Sequence, residues 1–213
     1  MSDEPESPGR TTYRHGDLRG ALIAAGVEMA REGGPRAVVL REATRRAGVS
    51  PNAAYRHFAD REALLKAVSD TCLGFAADRI GEEWQAQPRT GDAADDARLQ
   101  LRSVGNGYIA FAREEPGLFR TAFSVPDDLR QALSPAKAGR NGRTPFELLA
   151  LALDALVAAE VLPAERRENA EFLAWASVHG LGMLVIDGPL RGLTDPMIDF
   201  ATSRLLDMVD RGL

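Results

Sequence analysis

The chain has 213 residues, room for one large domain or two small ones, and its 45% hydrophobic and 27% charged composition is that of a folded globular protein, not a disordered one. A single cysteine, Cys72, excludes an intramolecular disulfide, and the dispersed His15, His57 and His179 do not form a zinc-site pattern. The net charge of −5 argues against a general nucleic-acid binder but is uneven: residues 10–66 hold eleven Lys+Arg against six Asp+Glu, a net +5, and residues 67–213 hold fifteen against twenty-two, a net −7.

Residues 1–12, with Pro5, Pro8 and Gly9 and no apolar stretch, read as a flexible arm and not as a leader peptide. The apolar run Leu181–Ile186 is far too short to span a bilayer, so a cytoplasmic protein off the membrane is expected. From His15 to Glu32, the residues Leu18, Leu22, Ala25 and Met29 recur at helical spacing, and Gly33-Gly34-Pro35 stops that helix. A short helix follows over Leu40–Ala47, ended by Gly48. Ser50 is an N-cap residue and Pro51 suits a first helical position, so another short helix runs from Pro51 to Phe58. Asp60 caps the next, whose stripe Leu65, Val68, Cys72, Phe75 and Ile80 carries it to about Gln87.

After a polar connector, residues 97–114 form a helix despite Gly105 and Gly107, Pro116-Gly117 breaks it, and Leu118–Phe123 is one more short helix. Residues 125–143, with two prolines, two glycines and scattered charge, read as a loop with one helical turn at most. Thr144-Pro145-Phe146-Glu147 is a capping box that opens a helix to about Glu160. Pro163 opens another that ends near Gly188-Pro189, and Asp195-Pro196 opens the last, to Arg211. No period-2 run or hairpin signal competes, so the fold class is all-α.

Residues 39–58 carry the functional signal. A short helix, the turn Ala47-Gly48-Val49-Ser50 and a second short helix make the layout of a helix-turn-helix, whose second helix enters the major groove; an ordinary helical corner has the same outline. The first helix carries Arg41, Arg45 and Arg46, and the second carries Tyr55, Arg56 and His57. Guanidinium groups serve phosphates and guanine edges alike. Together with the basic N-terminal quarter, this points to a partner with phosphates at one end of the molecule. His57 is either a phosphate contact or a plain surface histidine, and Asn52 either reads adenine or satisfies the first helical turn. Ala53 and Ala54 keep the helix slim, and one of them is a candidate for the core.

The segment Val38–Val68 resembles the DNA-binding domain of TetR/AcrR-type transcriptional regulators, through Ala47-Gly48-Val49-Ser50, Tyr55-Arg56-His57-Phe58 and Glu62-Ala63-Leu64-Leu65. The resemblance implies backbone contacts from Tyr55, His57 and Arg61, and base reading from Pro51 to Ala54 and Arg56. The full set of candidate DNA contacts is Arg14, Arg41, Thr44 and Arg45 ahead of the recognition helix, Ser50, Pro51, Asn52, Ala53, Tyr55, Arg56 and His57 along it, and Arg61 beyond it. Val39 departs from the usual Ser or Thr, leaving that helix without a side-chain cap, and Thr44 departs from the usual Ala. Glu115-Pro116-Gly117-Leu118-Phe119-Arg120 and Trp175-Ala176-Ser177-Val178-His179-Gly180 resemble the family branch whose C-terminal domain is named for a Trp…His-Gly motif.

The implied organisation is an arm over 1–12, a three-helix DNA-binding head over 13–60 containing the helix-turn-helix, and a C-terminal helical bundle over 61–213 for ligand binding and dimerisation. The last two helices are apolar nearly all round, which calls for burial on several sides. Phe172, Trp175, Met183, Ile186, Ile198, Leu205 and Met208 are the candidate interface of a homodimer, with Gly180 and Gly182 permitting close approach. Two recognition helices one DNA turn apart then read a palindromic operator on double-stranded DNA. Phe75, Trp84, Tyr108, Phe111, Phe119, Phe123, Trp175 and His179 are candidates to line a pocket for an apolar small-molecule effector, although core packing explains each of them equally well. In the resembling family, such a ligand changes the separation of the two heads and releases DNA.

Asp154, Glu160, His179 and Asp187 are scattered, without nucleophile motif, phosphate loop or metal spacing, so neither an enzyme nor a cofactor is expected. The other reading is a helical adaptor or ligand-binding protein without DNA binding; the retained arginines and Tyr55–His57 argue against it.

Overall fold

The structure, a computed structural model, describes residues 17–213 and is helical throughout them. The arm and Arg14 lie outside the described residues. Helix α1 spans Leu18–Gly33, capped by the Asp17 carboxylate on the Gly20 amide. Of the stripe read from the sequence it buries Leu22, Ala25 and Met29, with Leu18 half-buried at the start of the helix. A 3-10 turn over Pro35–Ala37 leads to α2, Leu40–Ala47, which has no side-chain cap at Val39. Gly48 closes α2 at φ 67°, a left-handed backbone that favours glycine, and turns the chain into α3, Pro51–Tyr55. The Ser50 hydroxyl caps α3 by accepting from the Ala53 amide. The α3 helix stops short of the expected Phe58: the Phe58 amide still bonds to Ala54 O at 3.0 Å, but the chain turns there so that the Phe58 ring enters the core.

Helix α4, Arg61–Ala86, is capped by Asp60 and links this head to the body. Its buried stripe holds Leu65, Val68, Cys72 and Ile80, whereas Phe75, expected in that stripe, is exposed because Cys72 and Ala76 already occupy the inward positions of that turn. Helix α5 spans Ala93–Glu114, starting earlier than expected because Asp92 caps the Asp95 amide. Its Gly107 lies against α4 so closely that a Cβ would stand 2.6 Å from the Ile80 Cα, so the glycine sets the α4–α5 distance. Helix α6 spans Pro116–Ala122. The loop after it holds two 3-10 turns, Leu129–Gln131 and Pro135–Lys137.

The capping box opens α7, Pro145–Ala158: the Thr144 hydroxyl accepts from Glu147 N–H at 3.2 Å, and the Glu147 carboxylate accepts from Thr144 N–H at 2.7 Å. Pro163 opens only a 3-10 turn, Ala164–Arg166. The left-handed Asn169, φ 59°, then separates that turn from α8, Ala170–Ile186, which corrects the expected start. Helix α9 spans Asp195–Gly212. In the body α5 is the central helix, packed on α4, α7, α8 and α9. No helix among the described residues is long and apolar enough to cross a membrane.

Candidate nucleic-acid interface and effector cavity

The turn between α2 and α3 is held by Gly48 N–H on Arg45 O and Val49 N–H on Thr44 O at 3.0 Å. Helical periodicity then sends Ala54 inward, and Phe58 beyond the helix end follows it, while Pro51, Asn52, Tyr55, Arg56 and His57 stay exposed; Tyr55 is 58% exposed despite its ring. Ala53 is half-buried. This makes one continuous face with a phenol, a guanidinium, an imidazole and an amide. Arg41 and Arg45 of α2 are exposed beside it.

The arginines are not equivalent. Arg45 makes a two-pronged bond to Glu42, at 2.8 and 2.7 Å. Arg46 bridges Glu42 and Glu32, tying α2 to the end of α1. These two guanidinium groups hold the Glu42 carboxyl at about 2, so it stays ionised. Arg41 and Arg56 have no ion-pair partner among the described residues.

Two of the candidate contacts are engaged inside the head. Thr44 is buried, and its hydroxyl donates to Arg41 O at 2.6 Å, so its side chain belongs to α2's inner face. The motif assigns Arg61 to the DNA backbone. Its guanidinium donates to Val38 O at 2.8 Å and Pro35 O at 2.7 Å, fastening the start of α4 to the chain entering α2.

The body holds a partly open cavity of about 450 Å³ between α4, α5, α7, α8, α9 and the loop after α6. Its wall is largely apolar, with Leu73, Leu101, Val104, Leu149, Val178 and Leu206 among its residues. Of the aromatic candidates, Tyr108, Phe123 and Trp175 line it, and Phe146 does too. Phe119 lies one layer behind, fully buried, with its ring stacked on His179 at 5.7 Å. Phe111 packs against Phe119 in the core. Neither Trp84 nor the outward-facing Phe75 reaches the wall, because α4 carries them on other faces.

The Trp175 indole N–H donates to the Tyr108 hydroxyl at 3.2 Å, and that hydroxyl lies 2.8 Å from Nδ1 of His179. The Tyr108 oxygen accepts from Trp175 and keeps both its own proton and a second lone pair for Nδ1 of His179. Burial lowers the His179 pKa, which favours the neutral imidazole. Burial also raises the Tyr108 phenol. The same effect pushes the Cys72 thiol up to about 12, which makes it a core residue and not a nucleophile.

Lys137 and Asp127, which sequence reading passed over as loop, stand in the cavity wall. Lys137 is only 4% exposed, and its ammonium bonds to Asp127. The available signal was compositional: the chain has two lysines, Lys66 and Lys137, and both reach Asp127.

On α8 and α9 the expected interface divides. Phe172, Met183 and Met208 are exposed, joined by Leu173, Leu184, Met197 and Phe200. Ile186 and Leu205 are half-buried. Ile198 is buried within its own body and Trp175 faces the cavity, so neither belongs to an outer face. Gly180 is open, whereas a Cβ on Gly182 would stand 3.3 Å from the Phe119 ring of the same chain.

Residues 22–68 match the family described as bacterial regulatory proteins, tetR family, and residues 101–209, more than half of the chain, match the tetracyclin repressor-like C-terminal domain. The fold is similar to that of a Rhodococcus sp. RHA1 protein of unknown function, 24% identical, TM-score 0.72, with 96% of this chain and 99% of that one covered. It is also similar to TetR from Acinetobacter baumannii AYE, 19% identical, TM-score 0.59, covering 91% and 95%. A single-residue variant of that TetR, in complex with minocycline, is 19% identical at TM-score 0.58, covering 90% and 92%. No curated protein matches.

Proposed function

Because the chain belongs to the TetR family of bacterial DNA-binding transcriptional regulators, we propose that it is a cytoplasmic homodimeric repressor, released from a palindromic operator by an apolar effector. The observation that carries this reading is the placement of α6. Its first turn rests on the end of α1, where the Glu115 carboxylate accepts the Arg31 Nε–H on both oxygens, at 3.0 and 3.1 Å. Four residues on, Phe119 backs the cavity through Tyr108, which lines the wall. One short helix therefore touches both the DNA head and the wall that a ligand would press. A ligand that fits the cavity better in one α6 position shifts the heads by as much as its affinity differs between the two states. The minocycline complex of the Acinetobacter baumannii variant supports the same use of a body with this fold.

In this reading Asn52, Ala53 and Arg56 read bases, with Pro51 and Ser50 fixing the helix entry. Tyr55, His57, Arg41 and Arg45 meet phosphates, and Arg61 holds the head in register. The exposed apolar face of α8 and α9 forms the dimer. Selection from a random duplex library with the purified protein tests this. Enrichment of a palindrome with half-sites about 34–36 Å apart is the expected result. Arg56→Ala should lower affinity and relax the preference at one position of each half-site. Retention without enrichment, equal for wild type and Arg56→Ala, would overturn the reading in favour of a helical protein that no longer reads DNA.

A further inference from the structure

The polar groups in the cavity wall can be accounted for donor by donor. The Ser69 hydroxyl donates to Ala122 O at 3.0 Å. The Trp175 N–H is used by Tyr108, whose hydroxyl is paired with Nδ1 of His179. Asp127 accepts Lys137 and Lys66 on Oδ2 and the Asp128 amide on Oδ1. Asp128 accepts the Arg130 amide at 3.0 Å and the Arg130 guanidinium at 2.6 Å. Lys137 is different. Its ammonium has three donors, Asp127 is its one side-chain partner among the described residues, and it is nine-tenths buried. The surplus in the wall is therefore a donor surplus, located on a single cation.

The charge around that cation is already balanced. Lys66 bonds to Asp70 at 2.6 Å and reaches Asp127 at 3.3 Å, so two ammonium groups face two carboxylates. An anionic ligand would add an unbalanced charge to a largely apolar cavity, and a cationic one would meet the Lys137 ammonium. A neutral oxygen uses the spare donors and adds no charge. Asp127 also keeps Lys66 as its cation while Lys137 turns to a ligand.

We propose that this cavity takes a neutral, mainly apolar molecule with a carbonyl-type oxygen, a ketone, ester, lactone or amide, that accepts a hydrogen bond from Lys137. This rests on the cavity being the effector site. Four probes of similar size separate the possibilities by calorimetric titration of the full-length protein: butyrophenone, butylbenzene, 4-phenylbutyrate and 4-phenylbutylammonium. Butyrophenone should bind about tenfold more tightly than butylbenzene, the gain expected of one hydrogen bond to a charged donor, and neither charged probe should exceed it. Lys137→Met should remove that tenfold preference, with the helical circular dichroism and the thermal midpoint showing that the variant is folded. Lys137→Arg should restore part of the preference. Equal binding of butyrophenone and butylbenzene, a ketone preference that survives Lys137→Met, or tightest binding by either charged probe would overturn the ligand assignment with the cavity reading intact. Failure of all four probes to bind would overturn the cavity reading itself.

Discussion

The Tyr108 hydroxyl stands 2.8 Å from Nδ1 of His179 and also accepts from the Trp175 indole N–H, so one phenol ties the imidazole to the indole. Protonation of His179 would put a positive charge into this half-buried aromatic cluster. Burial holds the His179 pKa below its ordinary 6.5, so the unfolded chain takes up the proton more readily than the folded one. The stabilising contribution is therefore complete above about pH 7 and is lost as pH falls through 6.5 towards the folded value. Thermal midpoints should drop between pH 7.5 and 5.5. His179→Gln, which keeps an acceptor but has no proton to gain, should show a shallower drop. Equal slopes for the two proteins would remove His179 from the account. Tyr108→Phe strands both the Trp175 N–H and His179 and should cost about 1–3 kcal/mol at pH 7.5.

Arg61 separates a structural from a DNA-contacting role. Its fork to Val38 O and Pro35 O joins α4 to the entry of α2. Arg61→Ala should lower stability by about 1–2 kcal/mol in urea denaturation and weaken binding to all duplexes about equally. Arg61→Lys should recover little, since an ammonium does not reproduce the planar fork. Arg56→Ala, at an exposed position without an ion-pair partner among the described residues, should leave stability within about 0.5 kcal/mol. Full stability of Arg61→Ala together with weakened DNA binding would return Arg61 to the plain phosphate contact that the motif implies.

Gly117 is where α6 meets α1. A Cβ there would stand 2.4 Å from Ala30 O and 2.7 Å from Arg31 O, both backbone atoms that cannot swing aside. Gly117→Ala must push the first turn of α6 off the head, at a cost of about 1–3 kcal/mol. Operator affinity without effector should change as well, because the end of α1 that α6 pushes on belongs to the head. A thermal midpoint and operator affinity both equal to wild type would show that α6 and α1 are not rigidly coupled.

Much of this was legible from local signals. Gly48 and Ser50-Pro51 place α2 and α3 because each acts through its own backbone, and Thr144 with Glu147 opens α7 for the same reason. The wall of the cavity was not legible. Lys137 reaches Asp127 only because two 3-10 turns fold the 125–143 segment onto α4, a tertiary outcome with no periodicity to announce it. Helices apolar on every side hide their inward face in the same way. Met197 and Ile198 are adjacent and equally apolar, yet Met197 is exposed and Ile198 buried. Phe75 failed differently: helical spacing allowed it, and the small Ala76 took the packed position instead.

The outer face of α8 and α9 supplies the last test. Leu173 is 63% exposed, Phe200 69% and Met208 58%, and they accompany Phe172, Met183, Leu184 and Met197 on the two helices. Apolar exposure on this scale in a DNA-binding regulator marks an association surface. Leu173 touches neither the cavity wall nor the core, so a charge there acts only on what covers the face. Sedimentation velocity at micromolar concentration should give twice the chain mass for wild type and the chain mass for Leu173→Glu. The variant should keep its helical circular dichroism and its affinity for butylbenzene. It should lose operator binding by about a hundredfold or more, since one head contributes only half of the contacts to a palindrome and the two-site gain is gone. A Leu173→Glu protein that remains a dimer would place the interface elsewhere. A monomeric wild type that still selects a palindrome would mean that pairing occurs only on the DNA.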